Sequence, residues 1–358
     1  MPGKIGHEGH DSHKRFLFCR NKVSGLATLE ESKDMVMSLR AFLSFTFVPA
    51  LWFSAFAAVT TGHPGTVSSA VAQNGKVENP SLMEKAKAGD PKAEYQIGWS
   101  YFTGKRTQVD YKEAADWFRR SATQGFADAQ FALGYLYEYG QGLKRDEHQA
   151  MFYYTSAAKQ GHPTAENNLA SMYQHGQGVH KNLAEAAAWY QKAADQGEVI
   201  AQCNLATMYF RGEGLPRDYA QAATWFRTAA EHGYAPAQED LAWMYYTGTG
   251  LAVDNQQAAR WARAAAEKGY PRAQLDLGYL YEQGKGIPLD YLAAYMWYKA
   301  AANRGEKTAE AQLKKLSSLL TPDQVQRANA DAAKLTDSLP KLDLGNGLAS
   351  VGGLFPDH

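Results

Sequence analysis

The chain has 358 residues, with 37 Lys+Arg against 37 Asp+Glu and a formal net charge of zero, so it lacks the basic footprint of a nucleic-acid binder. Two cysteines, Cys19 and Cys203, are too few for a disulfide framework and leave the compartment open. Aromatic residues reach 12%, a share that suits both cores and recognition surfaces.

The N-terminus reads as a targeting segment. Residues 1–36 precede any good start for an export signal and read as the leader of an over-long gene model, with Met35 or Met37 a better initiator. Residues 37–72 read as a signal peptide or membrane anchor. Arg40 precedes the uncharged run Ala41 to Ala58, and both Ala55-Phe56-Ala57 and Ala70-Val71-Ala72 fit a small-x-small cleavage site. Residues 41–60 also approach the ~20 apolar residues that span a bilayer, although Pro49 and the Ala/Ser-rich end favour cleavage. Both readings put the rest of the chain outside the cytoplasm: periplasmic or secreted if the segment is cleaved, membrane-anchored by residues 41–60 if it is retained. Residues 73–80 read as a linker.

Residues 81–306 repeat every 36 positions. Gly89, Gly125, Gly161, Gly197, Gly233, Gly269 and Gly305 keep this spacing without an insertion, and so do Tyr101 to Tyr281 and Ala114 to Ala294. A fixed period of this length marks stacked units, each too small to bury its own apolar face. Taking Pro91 to Phe126 as the first of six units, Ala93, Ile97 and Tyr101 fall at i, i+4 and i+8, one face of a first helix, helix A. The position after Ile97 is always Gly or Ala (Gly98, Gly134, Ala170, Ala206, Ala242, Gly278), which predicts a closely approaching neighbour. Helix A is expected to end at Gly104 and its equivalents, where glycine adopts the left-handed cap. A second glycine follows two residues later in five units; the first unit has Arg106 instead.

Helix B is expected to start at Asp110, Asp146, Asn182, Asp218, Asp254 or Asp290. Glu or Gln follows three residues later in five units, predicting a reciprocal capping box. The Trp117 class (Tyr153, Trp189, Trp225, Trp261, Trp297) reads as its core aromatic. Residues 81–89 read as half of a preceding helix B. Residues 307–336 read as capping helices, with Thr321-Pro322-Asp323-Gln324 opening the last one to about Lys334. Residues 337–358 read as a disordered tail.

Units such as AQCNLATMYFRGEGLPRDYAQAATWFRTAAEHGY resemble Sel1-like repeats, a branch of the tetratricopeptide superfamily, and the exported bacterial type in particular. The resemblance covers about residues 81–335. It implies an all-α fold: an α/α right-handed superhelix, or solenoid, of six 36-residue helix-turn-helix repeats with terminal capping helices. It also implies an adaptor whose helix A lines a concave wall.

On that wall the positions that vary between units are the expected partner-binding residues: Trp99, Tyr135, Asn168, His175, Asn204, Arg211, Asp240, Trp243, Tyr246, Asp276 and Tyr279. Tyr95, Phe102, Phe131, Tyr139 and Phe210 vary in the same way. Asn168, Asn204, Asp240 and Asp276 occupy one position in successive units and fit a ladder for a peptide backbone. Trp99, Tyr135, Trp243 and Tyr279 share the position one turn on and fit anchors. The alternative is that these aromatics only pack against neighbouring helices.

Candidate chemistry is sparse. Ser156-Ala157-Ala158-Lys159 matches S-x-x-K but has no S-D-N or K-T-G companion. His7, His10 and His13 have metal-ligand spacing only within the leader. Cys203 reads as packing filler. No catalytic residue, cofactor or metal is expected. The expected function is a non-enzymatic scaffold in the cell envelope that binds a protein or peptide, with a membrane protein among the candidate partners. The alternative is an envelope hydrolase or β-lactam-binding protein of the cysteine-rich Sel1-like type, a type whose paired cysteines this chain lacks.

Overall fold

The computed structural model describes residues 80–339 except Arg106. The expectations for the leader, the signal or anchor and the far C-terminal tail lie outside the described residues, as does the first-unit exception at Arg106. Among the described residues every regular element is an α-helix, and no helix is long and apolar enough to cross a membrane.

The helices are α1 (Pro80–Lys87), α2 (Pro91–Thr103), α3 (Tyr111–Thr123), α4 (Ala127–Tyr139), α5 (Glu147–Ala158), α6 (Pro163–His175), α7 (Leu183–Asp195), α8 (Val199–Arg211), α9 (Tyr219–Glu231), α10 (Ala235–Thr247), α11 (Asn255–Ala266), α12 (Pro271–Gln283), α13 (Tyr291–Asn303), α14 (Ala309–Ser317) and α15 (Pro322–Ser338). They form two compact units, one ending at Ala237 and one beginning at Gln238. In the N-terminal unit, α2/α3, α4/α5, α6/α7 and α8/α9 are the helical hairpins of successive repeats, and each helix packs on the next along the chain. The expected class, all-α with hairpins repeated at 36 residues, is the observed one.

Each hairpin core is built from the predicted apolar stripe. Ile97, Leu133, Leu169 and Leu205 are fully buried or nearly so, together with the small residues of the Ala93 and Ala114 classes. The Trp117 class is core in part: Trp117, Trp261 and Trp297 are buried, as expected. The next residue along helix B fills the inside of the hairpin more completely: Phe118, Tyr154, Tyr190 and Phe226 are buried, whereas Tyr153, Trp189 and Trp225 of the Trp117 class stay half-exposed. This explains the small residue after Ile97. A Cβ on Gly98 would lie 2.7 Å from Phe118 Cδ1, and one on Gly134 would lie 2.8 Å from Tyr154 Cδ1. Cations lie over rings of the Trp117 class, with Arg120 4.6 Å from the Trp117 ring centroid and Lys192 3.8 Å from that of Trp189.

The Asp and Asn caps of helix B form, but the reciprocal box does not. Asp218 accepts from the N–H groups of Ala220 (2.9 Å) and Gln221 (3.0 Å). Its own N–H donates to the Tyr209 carbonyl at 2.9 Å, and the same bond recurs from Asp110 to Tyr101, Asp146 to Tyr137 and Asn182 to Tyr173. The orphan donor that Gln221 would satisfy is therefore already taken. The second loop glycine also has a packing reason. Gly214 has φ +72°, and a Cβ there would sit 2.2 Å from the carbonyl oxygen of Leu183, the first residue of the preceding helix B.

One periodic feature escaped the sequence reading. Gln130 Nε2 donates to the Ala122 carbonyl, and Gln202 Nε2 to that of Ala194, each at 3.3 Å, tying helix A to the end of the previous helix B. In the first three units the end of the unit's own helix B answers: Gln124 donates to Glu94 (2.7 Å), Gln160 to Gln130 (2.7 Å) and Gln196 to Glu166 (2.6 Å).

In the C-terminal unit, Tyr295 and Tyr298 of α13 pack with Leu275, with Leu316 of α14 and with Ala328 of α15. Here the expected capping box is complete: Gln324 N–H donates to Thr321 Oγ1, and Thr321 N–H to Gln324 Oε1. The helix it opens runs to Ser338, past the expected end near Lys334. It buries Ala328 and Ala332 and leaves Asp323, Arg327, Asp331 and Lys334 exposed.

Candidate functional site

The helix-A face of the N-terminal unit opens with a shelf of rings. Tyr95 and Trp99 stack at 6.3 Å between centroids, Trp99 and Phe102 at 5.3 Å, Phe102 meets Tyr135 edge-on at 5.9 Å, and Tyr135 lies 4.5 Å from Tyr139. These distances suit favourable aromatic pairs. All five rings are half-buried, so each gives one part to its neighbours and one part to the surface. Burial pushes the hydroxyls of Tyr95, Tyr135 and Tyr139 well above the ordinary tyrosine range, with Asp128 adding to the shift at Tyr95 and Glu138 at the other two. They act as neutral hydrogen-bonding groups. Beside the shelf, Phe131 stacks on His162 at 4.8 Å. His162 caps α6 by accepting from the Ala165 N–H at 3.2 Å, and burial holds its pKa down against the pull of Asp128.

Beyond the shelf, α6 and α8 present amides and hydroxyls. Asn204 Nδ2 donates to Asn167 Oδ1 at 2.9 Å, and Asn167 Nδ2 donates to Asn168 Oδ1 at 3.2 Å. Asn168 is half-exposed, but Asn204 is only 3% exposed. Asn204 therefore belongs to the packing between the repeats and is not offered to a ligand, contrary to the expectation of a free ladder. At the loop end of the same helices, His175 is exposed, and Arg211 is paired with Glu213 at 3.6 Å.

In the C-terminal unit, Asp240, Trp243, Asp276 and Tyr279 are half-exposed. Tyr246 is 7% exposed, accepts from Lys285 Nζ at 2.9 Å and lies with its hydroxyl 3.5 Å from that of Tyr279. It too is a packing residue. Arg272 lies 3.1 Å from Glu239. Burial opposes its charge, but Glu239, Asp276, Glu306 and Asp240 together outweigh burial and raise its pKa.

The burial of Tyr246 follows from a pairing that the sequence carries but that reading one class at a time misses. Position 102 of the unit and position 118 vary together: Phe102 with Phe118, Glu138 with Tyr154, Gln174 with Tyr190, Phe210 with Phe226, Tyr246 with Ala262, Glu282 with Tyr298. Each tyrosine on helix B finds an acceptor on helix A: Tyr154 donates to Glu138 at 2.6 Å, Tyr190 to Gln174 at 2.9 Å and Tyr298 to Glu282 at 2.7 Å. Phe102 and Phe118 lie 6.4 Å apart. In the fifth repeat, helix B has alanine and helix A supplies the ring. Phe102, Phe210 and Tyr246 vary for this reason as well as for any role at the surface.

No catalytic arrangement emerges around the S-x-x-K match. Ser156 Oγ donates to the Phe152 carbonyl at 2.9 Å, and Lys159 is the exposed C-cap of α5. Cys203 is buried. Among the described residues, no group of His, Cys, Asp and Glu could hold a metal ion.

A model of the Sel1 repeat matches residues 91–126, 127–162, 163–198, 199–234, 235–270 and 271–306. Among solved structures, c5321, a protective antigen present in uropathogenic Escherichia coli strains displaying an SLR fold, is 34% identical with a TM-score of 0.66 over 72% of this chain and 55% of that one. A Sel1 repeat protein from Oxalobacter formigenes is 36% identical with a TM-score of 0.60, over 66% of this chain and 68% of its own. The secretory immunoglobulin A-binding protein EsiB of Escherichia coli O6:H1 (strain CFT073) is 43% identical over 47 residues, 13% of this chain and 10% of EsiB. This chain thus spans about half of the c5321 chain and matches a tenth of EsiB. With six matched units in unbroken register, the chain belongs to the Sel1-repeat family.

Proposed function

We propose that this protein is a non-enzymatic scaffold, exported from the cytoplasm, that holds a segment of a protein partner on its helix-A face. The observation that carries the reading is the shelf Tyr95–Trp99–Phe102–Tyr135–Tyr139, which runs from one repeat into the next with part of each residue at the surface. Large, partly pre-stacked aromatics lose little side-chain entropy on binding and serve as anchors. The half-exposed amide of Asn168 beside them fits a peptide backbone.

Sel1-repeat proteins generally mediate protein–protein interaction, and EsiB is named for binding secretory immunoglobulin A. Export is supported by the Arg40-to-Ala58 pattern and its two small-x-small sites. A membrane-embedded partner would fit an envelope location.

Crosslinking and affinity capture from the envelope fraction, with wild type and Trp99→Ala/Tyr135→Ala side by side, test the reading. The double variant should retain its helical spectrum and weaken capture by at least ~10-fold, as expected for lost aromatic anchors. Undiminished capture would remove the shelf from the interface.

A further inference from the structure

We infer that His162 is an acid-sensitive latch on the helix-A face: neutral, it caps α6, the helix that carries Asn167 and Asn168; protonated, it releases the first turn of that helix. The inference goes beyond the scaffold reading, and its test needs no partner.

Three contacts hold the ring. Its Nδ1 accepts from the Ala165 N–H at 3.2 Å, in the first turn of α6. Its Nε2 lies 3.5 Å from Asp128 Oδ1, in the first turn of α4. Its plane stacks on Phe131, with 4.8 Å between centroids and 20° between planes. The residue is buried, so a lost bond is not made good by water. The first contact sets the tautomer: Nδ1 presents its lone pair, and Nε2 therefore carries the proton on the side of Asp128.

A histidine here differs in kind from what the other repeats use. The equivalent positions hold Asp90, Phe126, Glu198, Tyr234 and Tyr270. Asp90 and Glu198 cap with carboxylate oxygens, accepting from Ala93 at 2.9 Å and from Ala201 at 2.5 Å. Phe126 and Tyr270 make no side-chain cap bond, so a hairpin folds without one. A carboxyl group keeps an acceptor oxygen after protonation, whereas an imidazolium has none. His162 is thus a cap that a single proton abolishes.

Protonation sets a new Nδ1–H against the Ala165 N–H, donor to donor, at the positive end of the α6 dipole. The charges around the ring oppose this only weakly. Asp128 on α4 favours the imidazolium, but its side chain is 42% exposed and its pull is screened. On α6, Glu166 is engaged by Gln196 of α7 at 2.6 Å and drawn by Lys192 of the same helix. α5 ends beside the ring with the exposed Lys159. The Phe131 stack accommodates either charge state. Burial, the main cause, accordingly holds the His162 pKa below the ordinary value of 6.5, against Asp128. The unfolded chain then binds the proton more tightly than the native one, so stability falls as pH drops from 6.5 through the lower native value.

The test is a pH titration of the whole chain from about 8 to about 5, across the ordinary histidine range. NMR follows the His162 ring and the hydrogen-exchange protection of the Ala165 amide. His162→Asp, which copies Asp90, and His162→Phe, which copies Phe126, assign the ring and give permanently capped and uncapped references. In wild type the His162 midpoint should lie below 6.5. Ala165 protection should fall at least ~10-fold across that midpoint, a loss of the size of a helix cap. In His162→Asp the protection should hold throughout the range, and in His162→Phe it should be low throughout. Asp128→Asn should lower the His162 midpoint further, because the favourable charge is gone. An Ala165 amide equally protected on both sides of the His162 midpoint would overturn the inference. So would one that loses protection in His162→Asp at the wild-type midpoint.

Discussion

Tyr154 and Glu138 show how a buried polar group is tolerated only as half of a pair. The ring fills the space over Gly134, and its hydroxyl has to end on an acceptor because water cannot reach it. Replacing Tyr154 by Phe keeps the ring but strands the Glu138 carboxyl, and should cost about 1–3 kcal/mol in urea unfolding. Adding Glu138→Phe rebuilds the all-apolar pair seen at Phe102 and Phe118 and should recover most of that loss. Strict additivity of the two substitutions would mean that the pair is not coupled. The same logic places Asn204 and Tyr246 inside the protein. Their variation between repeats compensates for a neighbour, so variability alone was a poor guide to a recognition surface.

Among the elements, the helix-B starts are the clearest case of local chemistry deciding a boundary. Asp218 satisfies two N–H groups at the head of α9, and its own N–H is held by Tyr209 of α8. Asp218→Ala should therefore lower stability by about 0.5–2 kcal/mol. Gln221→Ala, at the position of the expected reciprocal arm, should stay within about 0.5 kcal/mol. Equal effects in chemical denaturation would restore the capping box. The loop between these helices is held from outside as well. The left-handed Gly214 lets the chain lie against the first turn of α7, so that one hairpin's loop buttresses the preceding one.

In the molecule as a whole, stacking leaves ends that must be closed. At the C-terminus α14 and α15 do this, covering Tyr295 and Tyr298 with Leu316 and Ala328 while turning charged residues outward. Ending the chain at Gly305 should expose those tyrosines and the apolar surface around them, making residues 238–305 the preferred target in limited proteolysis. Equal resistance with and without residues 306–358 would show that the cap is dispensable. The milder Leu316→Ala, at a fully buried site, should cost about 2–5 kcal/mol.

The sequence by itself determined the period, the two helices of each unit, their glycine ends and Asp or Asn starts, and hence the family. Those features are short-range: a left-handed glycine, a side chain capping its own helix and an apolar stripe at helical spacing each act within a few residues. What only the tertiary structure decided was direction. Trp117 and Phe118 are adjacent aromatics on one helix, a single residue and roughly 100° apart on a 3.6-residue turn, and nothing local says which one packs inside its own hairpin. Phe118 takes that place against Gly98 on another helix, whose missing Cβ leaves room for its ring, while Trp117 is buried in a cluster with Ala86, Ala93 and Ile97. In the same way, Asn204, Tyr246 and Glu138 acquired their places from partners dozens of residues or a neighbouring helix away, because burial is a property of what packs against a side chain and not of the side chain itself.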